Sequence, residues 1–200
     1  MATWWTLPNV ITLVRTAGSL AVSMAGLATR DPRLLLIAYA IYLVGDMLDG
    51  NVARWLQQET RAGATFDIVS DRLCAVPIFL AYVVIEPSAA WAVGIWLVGF
   101  AGIDLVLSLG FLAWPLRGTG GFAYVDRAIF NWNFTILAKS ANSTGFILAL
   151  VFLRSPVPAA LIAFGWVAVK AWSLHRLVGL VDGARHVTCL AQVHEPAPTA

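Results

Sequence analysis

Asp46 and Asp49 stand three residues apart, and Asp67 and Asp71 four apart, in stretches that are otherwise apolar. Residues at those spacings project from one face of a helix, so each pair can present two carboxylates to the same point. An unpaired carboxylate in apolar surroundings costs several kcal/mol, and four close together repel, so something positive must sit among them. Oxygen ligands without His or Cys suit Mg²⁺ or Mn²⁺, and the four acids could hold one or two such ions. Beside them, Gly50, Ala53 and Gly63 leave backbone accessible, and Arg54 offers a fork for phosphate oxygens. A nucleotide diphosphate is the natural guest of such a pocket.

The composition says what kind of element positions these residues. Of 200 residues, 60% are hydrophobic and only 12% charged, with a mean hydropathy of +0.78, whereas a soluble domain carries roughly 25% charged residues. At about 20 residues per span, the chain holds roughly six membrane helices and has no room for a separate soluble domain. Breaks at Gly, Pro and charge predict spans near 9–29, 33–57, 63–85, 89–113, 135–153 and 157–179. The fold expected is therefore all-α, with six transmembrane helices around a polar cavity. A net charge of +2 with scattered arginines argues against nucleic acid. Cys74 and Cys189 imply neither a disulfide framework nor a redox motif.

Charge also predicts orientation. The breaks at Arg30-Asp31-Pro32-Arg33, Glu86-Pro87-Ser88 and Arg154-Ser155-Pro156 fall on one side, while Arg54, Arg61, Arg117, Arg127, Lys139, Arg176 and Arg185 gather near the other. An excess of Lys and Arg marks the cytoplasmic side, so both termini are expected there. Trp4, Trp5, Trp55, Trp114, Trp132 and Trp172 fall at the same level, as an interfacial aromatic belt would. The N-terminus lacks the basic start of a secretory signal and is expected to be retained. The membrane domain is expected over residues 1–186, followed by a disordered cytoplasmic tail from Val187 to Ala200. At about 1.5 Å per residue, Asp46 lies some 16 Å before the turn joining helices two and three and Asp71 some 12 Å after it. Antiparallel neighbours would then bring all four acids to a similar depth.

The run Asp46-Met-Leu-Asp49-Gly50-Asn-Val-Ala53-Arg54, followed after eight residues by Gly63-Ala-Thr-Phe-Asp67-Ile-Val-Ser-Asp71, resembles the signature DxxDGxxAR…GxxxDxxxD of the CDP-alcohol phosphotransferase family, with every position matched. The resemblance implies an integral enzyme of a prokaryotic cell membrane, with six helices, commonly a homodimer, whose cytoplasm-facing cavity opens sideways to lipid. It implies transfer of a phosphatidyl group from CDP-diacylglycerol to a small alcohol, with release of CMP, in phospholipid biosynthesis. It also implies roles: Asp46, Asp49 and Asp67 ligate Mg²⁺ or Mn²⁺, Asp71 completes the metal site and acts as general base, and Gly50, Ala53, Arg54 and Gly63 meet CDP-diacylglycerol. A divalent-cation transporter would also need intramembrane acids, but has no reason to carry Gly-x-x-Ala-Arg beside them.

The acceptor must be read outside the signature. Leu7-Pro8-Asn9-Val-Ile-Thr12-Leu-Val-Arg15 is similar to the P-N-x-x-T-x-x-R opening of phosphatidylglycerophosphate and cardiolipin synthases, which points to glycerol 3-phosphate or phosphatidylglycerol. Asp67-Ile-Val-Ser-Asp71-Arg72 stands where those enzymes often carry D-P-x-A-D-K and is closer to the inositol-phosphate branch. Ala138-Lys139-Ser140-Ala141-Asn142 stands in place of their G-K-x-K-T. A phosphorylated acceptor needs cations at the cavity mouth, for which Lys139, Arg117, Arg127 and Arg176 are the candidates. Asp104, about 13 Å before the end of the fourth helix, either joins the site or pairs with Arg72 or Lys139. His186, Cys189 and His194 lack zinc spacing, and Gly118-Thr-Gly120-Gly121 lacks the Lys-Ser/Thr of a phosphate loop. Asn133 and Asn142 fit the glycosylation pattern, but both are expected on the cytoplasmic side.

Overall fold

The computed structural model describes residues 4–153 and 155–193, and its first three helices begin where a side chain can satisfy a free N–H group. Thr6 caps α1 (Leu7–Thr29), Asp31 caps α2 (Pro32–Trp55) with Pro32 at its first position, and Thr60 caps α3 (Arg61–Ile85). Arg30, in the left-handed region at φ 53°, turns α1 into α2 with its N–H on the carbonyls of Gly26 and Leu27. The fourth span starts in a short 3₁₀ turn (Pro87–Ala89) and runs through α4 (Ala90–Leu97), a π-helical stretch (Val98–Ile103) and α5 (Asp104–Leu109). Short α6 (Phe122–Val125) then leads to α7 (Arg127–Asn133), α8 (Ile136–Phe152) and α9 (Pro156–Val193).

No strand occurs among the described residues, and six stretches are long and apolar enough to cross a membrane. The first four lie within two residues of the expected spans. The fifth begins at Arg127 rather than residue 135. Asp126 starts α7, the chain breaks at Phe134, and the Thr135 hydroxyl accepts the Ala138 N–H to restart it as α8. A polar residue that reads as the start of a span is here a cap inside it. The last helix continues through Val187, where the loose tail was expected to begin, as far as Val193; His194 and the residues after it lie outside the described ones.

Two apolar clusters fix the helices. Trp96 packs on Phe79 and Phe100 with ring centroids 4.3 and 4.6 Å away and on Phe146 at 5.4 Å, joining α3, α4, the π stretch and α8. Each such pair adds about 0.5–1.5 kcal/mol beyond its buried area. At the other end, Leu107, Phe111, Phe122, Ile129 and Phe134 close around Leu177 of α9. Large apolar side chains such as Val14, Leu36, Val44, Leu80 and Val98 are exposed on the outside, more than a soluble monomer tolerates, and suit lipid instead. The face that α1 turns inward is polar: Thr12, Arg15, Thr16, Ser19 and Ser23 are all buried. Gly45 of α2 makes room for it, since a Cβ there would come within 2.5 Å of both Cβ and Cδ of Arg15.

Outside the spans, Asp126 ties α7 to α9. Its carboxylate accepts the Ala128 and Ile129 N–H groups and the Arg176 Nε at 2.6 Å. Burial alone would push its pKa up, but these donors, Ile129 foremost, hold it below the ordinary carboxylate value.

Candidate functional site

The second half of α2 and the first half of α3 run antiparallel, and the two acid pairs meet where α1 packs against both. Carboxylate oxygens of Asp46, Asp49 and Asp67 lie within 4.8 Å of one another. Oxygens on opposite sides of an octahedral ion at about 2.1 Å are roughly 4.2 Å apart, so modest side-chain rotation would let the three share one ion. The all-oxygen donor set fits a hard divalent cation for the same reason. Asp71 falls outside this group of three and lies between two cations, with Arg15 Nη2 at 3.0 Å and Arg72 Nη1 at 3.8 Å.

Arg15 is the residue that the acid spacing alone does not disclose. It is only 3% exposed, and its guanidinium touches all four aspartates. Nε donates to Asp49 at 2.8 Å, Nη2 donates to Asp67 at 2.5 Å and to Asp71 at 3.0 Å, and Asp46 lies 3.7 Å from Nη2. Thr12, one turn earlier, donates its hydroxyl to the same Asp49 oxygen at 2.7 Å. Asp49 is thus the buried anchor, whereas the side chains of Asp46 and Asp67 are 34% and 37% exposed.

Asp46, Asp67 and Asp71 line a cavity of about 150 Å³ that reaches across to α8 and α9. Of the candidate acceptor residues, Lys139 and Asp104 line it, and Arg117, Arg127 and Arg176 do not. Arg117 and Arg127 are exposed elsewhere, and Arg176 is held by Asp126. Asp104 pairs with Arg72 at 2.5 Å and, instead of Lys139, with Lys170 of α9 at 2.5 Å. Lys170 is a second residue that the acid motif does not reveal; its signal is a lysine inside an otherwise apolar span, which is costly unless paired. Lys139 makes no ion pair among the described residues and opens the first turn of α8, with Asn142 and Ser143 also on the cavity wall. Asn133 and Asn142 are buried, which suits neither for glycosylation.

Gly50, Ala53, Arg54 and Gly63 are not on the cavity wall. Arg54 is exposed and its Nη2 donates to Asn51, while a Cβ on Gly63 would meet the Asn9 amide oxygen at 3.0 Å. An apolar groove of about 300 Å³ between α2, α3 and α8, with Leu35, Ile78, Phe79 and Leu150 on its walls, adjoins the cavity at Tyr39, which lines both.

A family model described as CDP-alcohol phosphatidyltransferase matches residues 5–172, which takes in both acid pairs, Arg15, Lys139 and Lys170. No curated protein matches the chain, and no solved structure does.

Proposed function

The chain belongs to the CDP-alcohol phosphatidyltransferase family, and we propose that it moves the phosphatidyl group of CDP-diacylglycerol to glycerol 3-phosphate with release of CMP. The observation that carries the reading is the convergence of Asp46, Asp49, Asp67 and Asp71 on one point at the edge of a polar cavity. The family is metal-dependent, and Asp46, Asp49 and Asp67, completed by Asp71, would hold Mg²⁺ or Mn²⁺. Bound there, the cation supplies positive charge against the diphosphate and the departing CMP.

The chain's own residues do the rest. Asp71 takes the proton from the acceptor hydroxyl as that oxygen attacks the lipid-side phosphorus, and the bond from this phosphorus to the CMP oxygen breaks. No covalent enzyme intermediate is needed. Gly50, Ala53, Arg54 and Gly63, off the cavity wall, receive the nucleotide part of the donor, while the adjoining apolar groove suits one of its acyl chains. For the acceptor, the charges on the cavity wall matter. Arg72 and Lys170 are both engaged by Asp104, whereas Lys139 has no ion pair among the described residues and is the wall cation freest to meet an acceptor's phosphate. Inositol phosphate meets the same requirement and is the alternative; phosphatidylglycerol has no terminal phosphate for Lys139 to hold.

The test is purified protein with labelled CDP-diacylglycerol, Mn²⁺, and a panel of glycerol 3-phosphate, inositol phosphate, serine and phosphatidylglycerol. Labelled phosphatidylglycerophosphate is expected from the first, and Lys139→Ala should raise KM for that acceptor by roughly 10-fold or more, the effect of one charge-assisted hydrogen bond. Product from serine or phosphatidylglycerol alone would overturn the acceptor assignment. Metal flux into sealed vesicles with no CMP chemistry would favour a cation transporter.

The loop charges support a cytoplasmic site and cytoplasmic termini, with the homodimer common in this family as the expected assembly. A membrane-impermeant label directed at a cysteine placed at Gln57, in the turn between α2 and α3, should then react in inverted vesicles and not in intact cells. The opposite pattern would reverse the orientation.

A further inference from the structure

We infer that Arg15 is the metal site's own counter-cation: it holds the four acids together before a divalent ion binds, and it gives up Asp67 and Asp71 but keeps Asp49 when the ion arrives. The inference rests on the metal reading above and concerns what this chain does to accommodate it.

The contacts of Arg15 fall into two kinds. Its Nε–Asp49 bond is sealed: the Asp49 side chain is 4% exposed and shares the same oxygen with the Thr12 hydroxyl. Nη2, by contrast, is divided among Asp67, Asp71 and Asp46, and the side chains of Asp46 and Asp67 are about a third exposed to the cavity. Nη1 is buried and has no hydrogen-bond partner. A guanidinium evolved only to brace the helices would be expected to use its full fork on one or two carboxylates, since a buried donor without a partner is costly. Here one nitrogen is stretched over three acids, as a stand-in for a compact cation would be.

Charge gives the direction of the exchange. Four carboxylates and one guanidinium leave the cluster with a net charge of −3 if all are ionised. That attracts a divalent cation to the oxygens of Asp46, Asp49 and Asp67, but such an ion and Nη2 would both claim the same Asp67 carboxylate. Like charges a few Å apart in a low-dielectric site repel strongly, so Nη2 has to withdraw. It has somewhere to go: the guanidinium carbon already lies 5.6 Å from the centroid of the Tyr42 ring, a face that attracts cations. Gly45 leaves the stem of Arg15 unobstructed at its root. Arg15 is thus a positioning residue that sets how tightly the acids hold metal, with no contact to the reacting atoms required of it.

Mn²⁺ affinity, read by calorimetry or by the electron paramagnetic resonance of the free ion, tests this in the parent chain, Arg15→Met and Arg15→Lys. Thermal unfolding is followed in EDTA and in saturating Mn²⁺. Removing the competing cation should tighten Mn²⁺ binding by at least about 10-fold in Arg15→Met, because the repulsion it relieves is large at such short range. The same variant should unfold several degrees lower than the parent in EDTA, as Asp46, Asp49 and Asp67 are left with no cation beside them, and recover most of that loss in Mn²⁺. Arg15→Lys keeps the charge and supports folding, but its compact ammonium cannot reach three acids at once, so its Mn²⁺ affinity should lie between the two. Unchanged or weaker affinity in both variants, with stability lost equally with and without Mn²⁺, would mean that Arg15 only braces the helices and would overturn the inference while leaving the metal site standing. If Arg15→Met does not fold, Arg15→Lys decides alone: affinity equal to or below the parent's overturns it. A parent chain that binds no Mn²⁺ at all would remove the metal reading, and this inference with it.

Discussion

CMP release from CDP-diacylglycerol by the purified protein should fall by at least about 10³-fold in excess EDTA and return on addition of Mn²⁺ or Mg²⁺, because loss of several kcal/mol of charge stabilisation is worth about a factor of ten for each 1.4 kcal/mol. Without a divalent ion, the cluster of Asp46, Asp49, Asp67 and Asp71 has Arg15 at its centre and Arg72 only at the edge of Asp71, against four carboxylates. The donor then brings a negatively charged diphosphate to a negatively charged cavity whose other cations, Arg72 and Lys170, are taken by Asp104. Lys139 alone cannot balance donor and acceptor phosphates together. Both donor binding and departure of CMP should therefore fail, and the loss should appear in binding of the nucleotide lipid as well as in rate. The measurement is initial CMP release over a titration of EDTA, followed by back-titration with each metal. Undiminished turnover with chelator in excess would sink the metal-dependent mechanism for this chain.

Much of this arrangement is legible in the sequence, for identifiable reasons. Helical spacing puts Asp46 with Asp49 and Asp67 with Asp71, and counting the rise along two antiparallel helices brings the pairs to one depth; in the structure they converge. The spans are legible because lipid imposes a length and an apolar composition on every helix, and four of the six agree to within two residues. The start of the fifth is not, because Thr135 reads as the start of the span while acting as a cap inside it, and what anchors α7 is the distant Arg176. Arg15 could have been singled out. Thr12, Arg15, Thr16, Ser19 and Ser23 recur at helical spacing, a polar stripe along a membrane helix that has to face protein rather than lipid. What the stripe does not give is its partner, since contact between α1 and the acids of α2 and α3 is tertiary. Asp104 gives the same lesson: a buried acid demands a cation, but choosing Lys170 over Lys139 requires knowing how α9 packs against α5. Arg117, Arg127 and Arg176 are expected on one side of the membrane from the order of the spans, and that expectation alone does not bring them to the cavity.

Asp71 and Asp49 should part company when each is replaced by Asn. The two carboxylates differ in surroundings: Asp49 is buried, pinned by Thr12 and Arg15, and belongs to the group of three whose oxygens lie within 4.8 Å. Asp71 stands outside that group, lines the cavity, and meets Arg15 and Arg72 from its two oxygens. An oxygen set aside from the tightest cluster and open to the cavity is the one an acceptor hydroxyl can approach. Asp71→Asn preserves size and a hydrogen-bonding oxygen but cannot take a proton, so turnover should drop by at least about 100-fold, the lower end of what removing a general base costs. Metal-dependent binding of CDP-diacylglycerol should largely survive, because the three other acids and Arg15 remain. Asp49→Asn removes charge from the buried anchor, so Arg15 loses its most buried ion pair and the group of three loses one anionic ligand, and binding and turnover should both be lost. Nucleotide-lipid binding and initial rate, measured side by side on the two variants with folding checked by thermal unfolding, separate the roles. An Asp71→Asn protein that turns over near the parent rate would place the base on another residue, and one that loses metal affinity as Asp49→Asn does would make Asp71 chiefly a ligand.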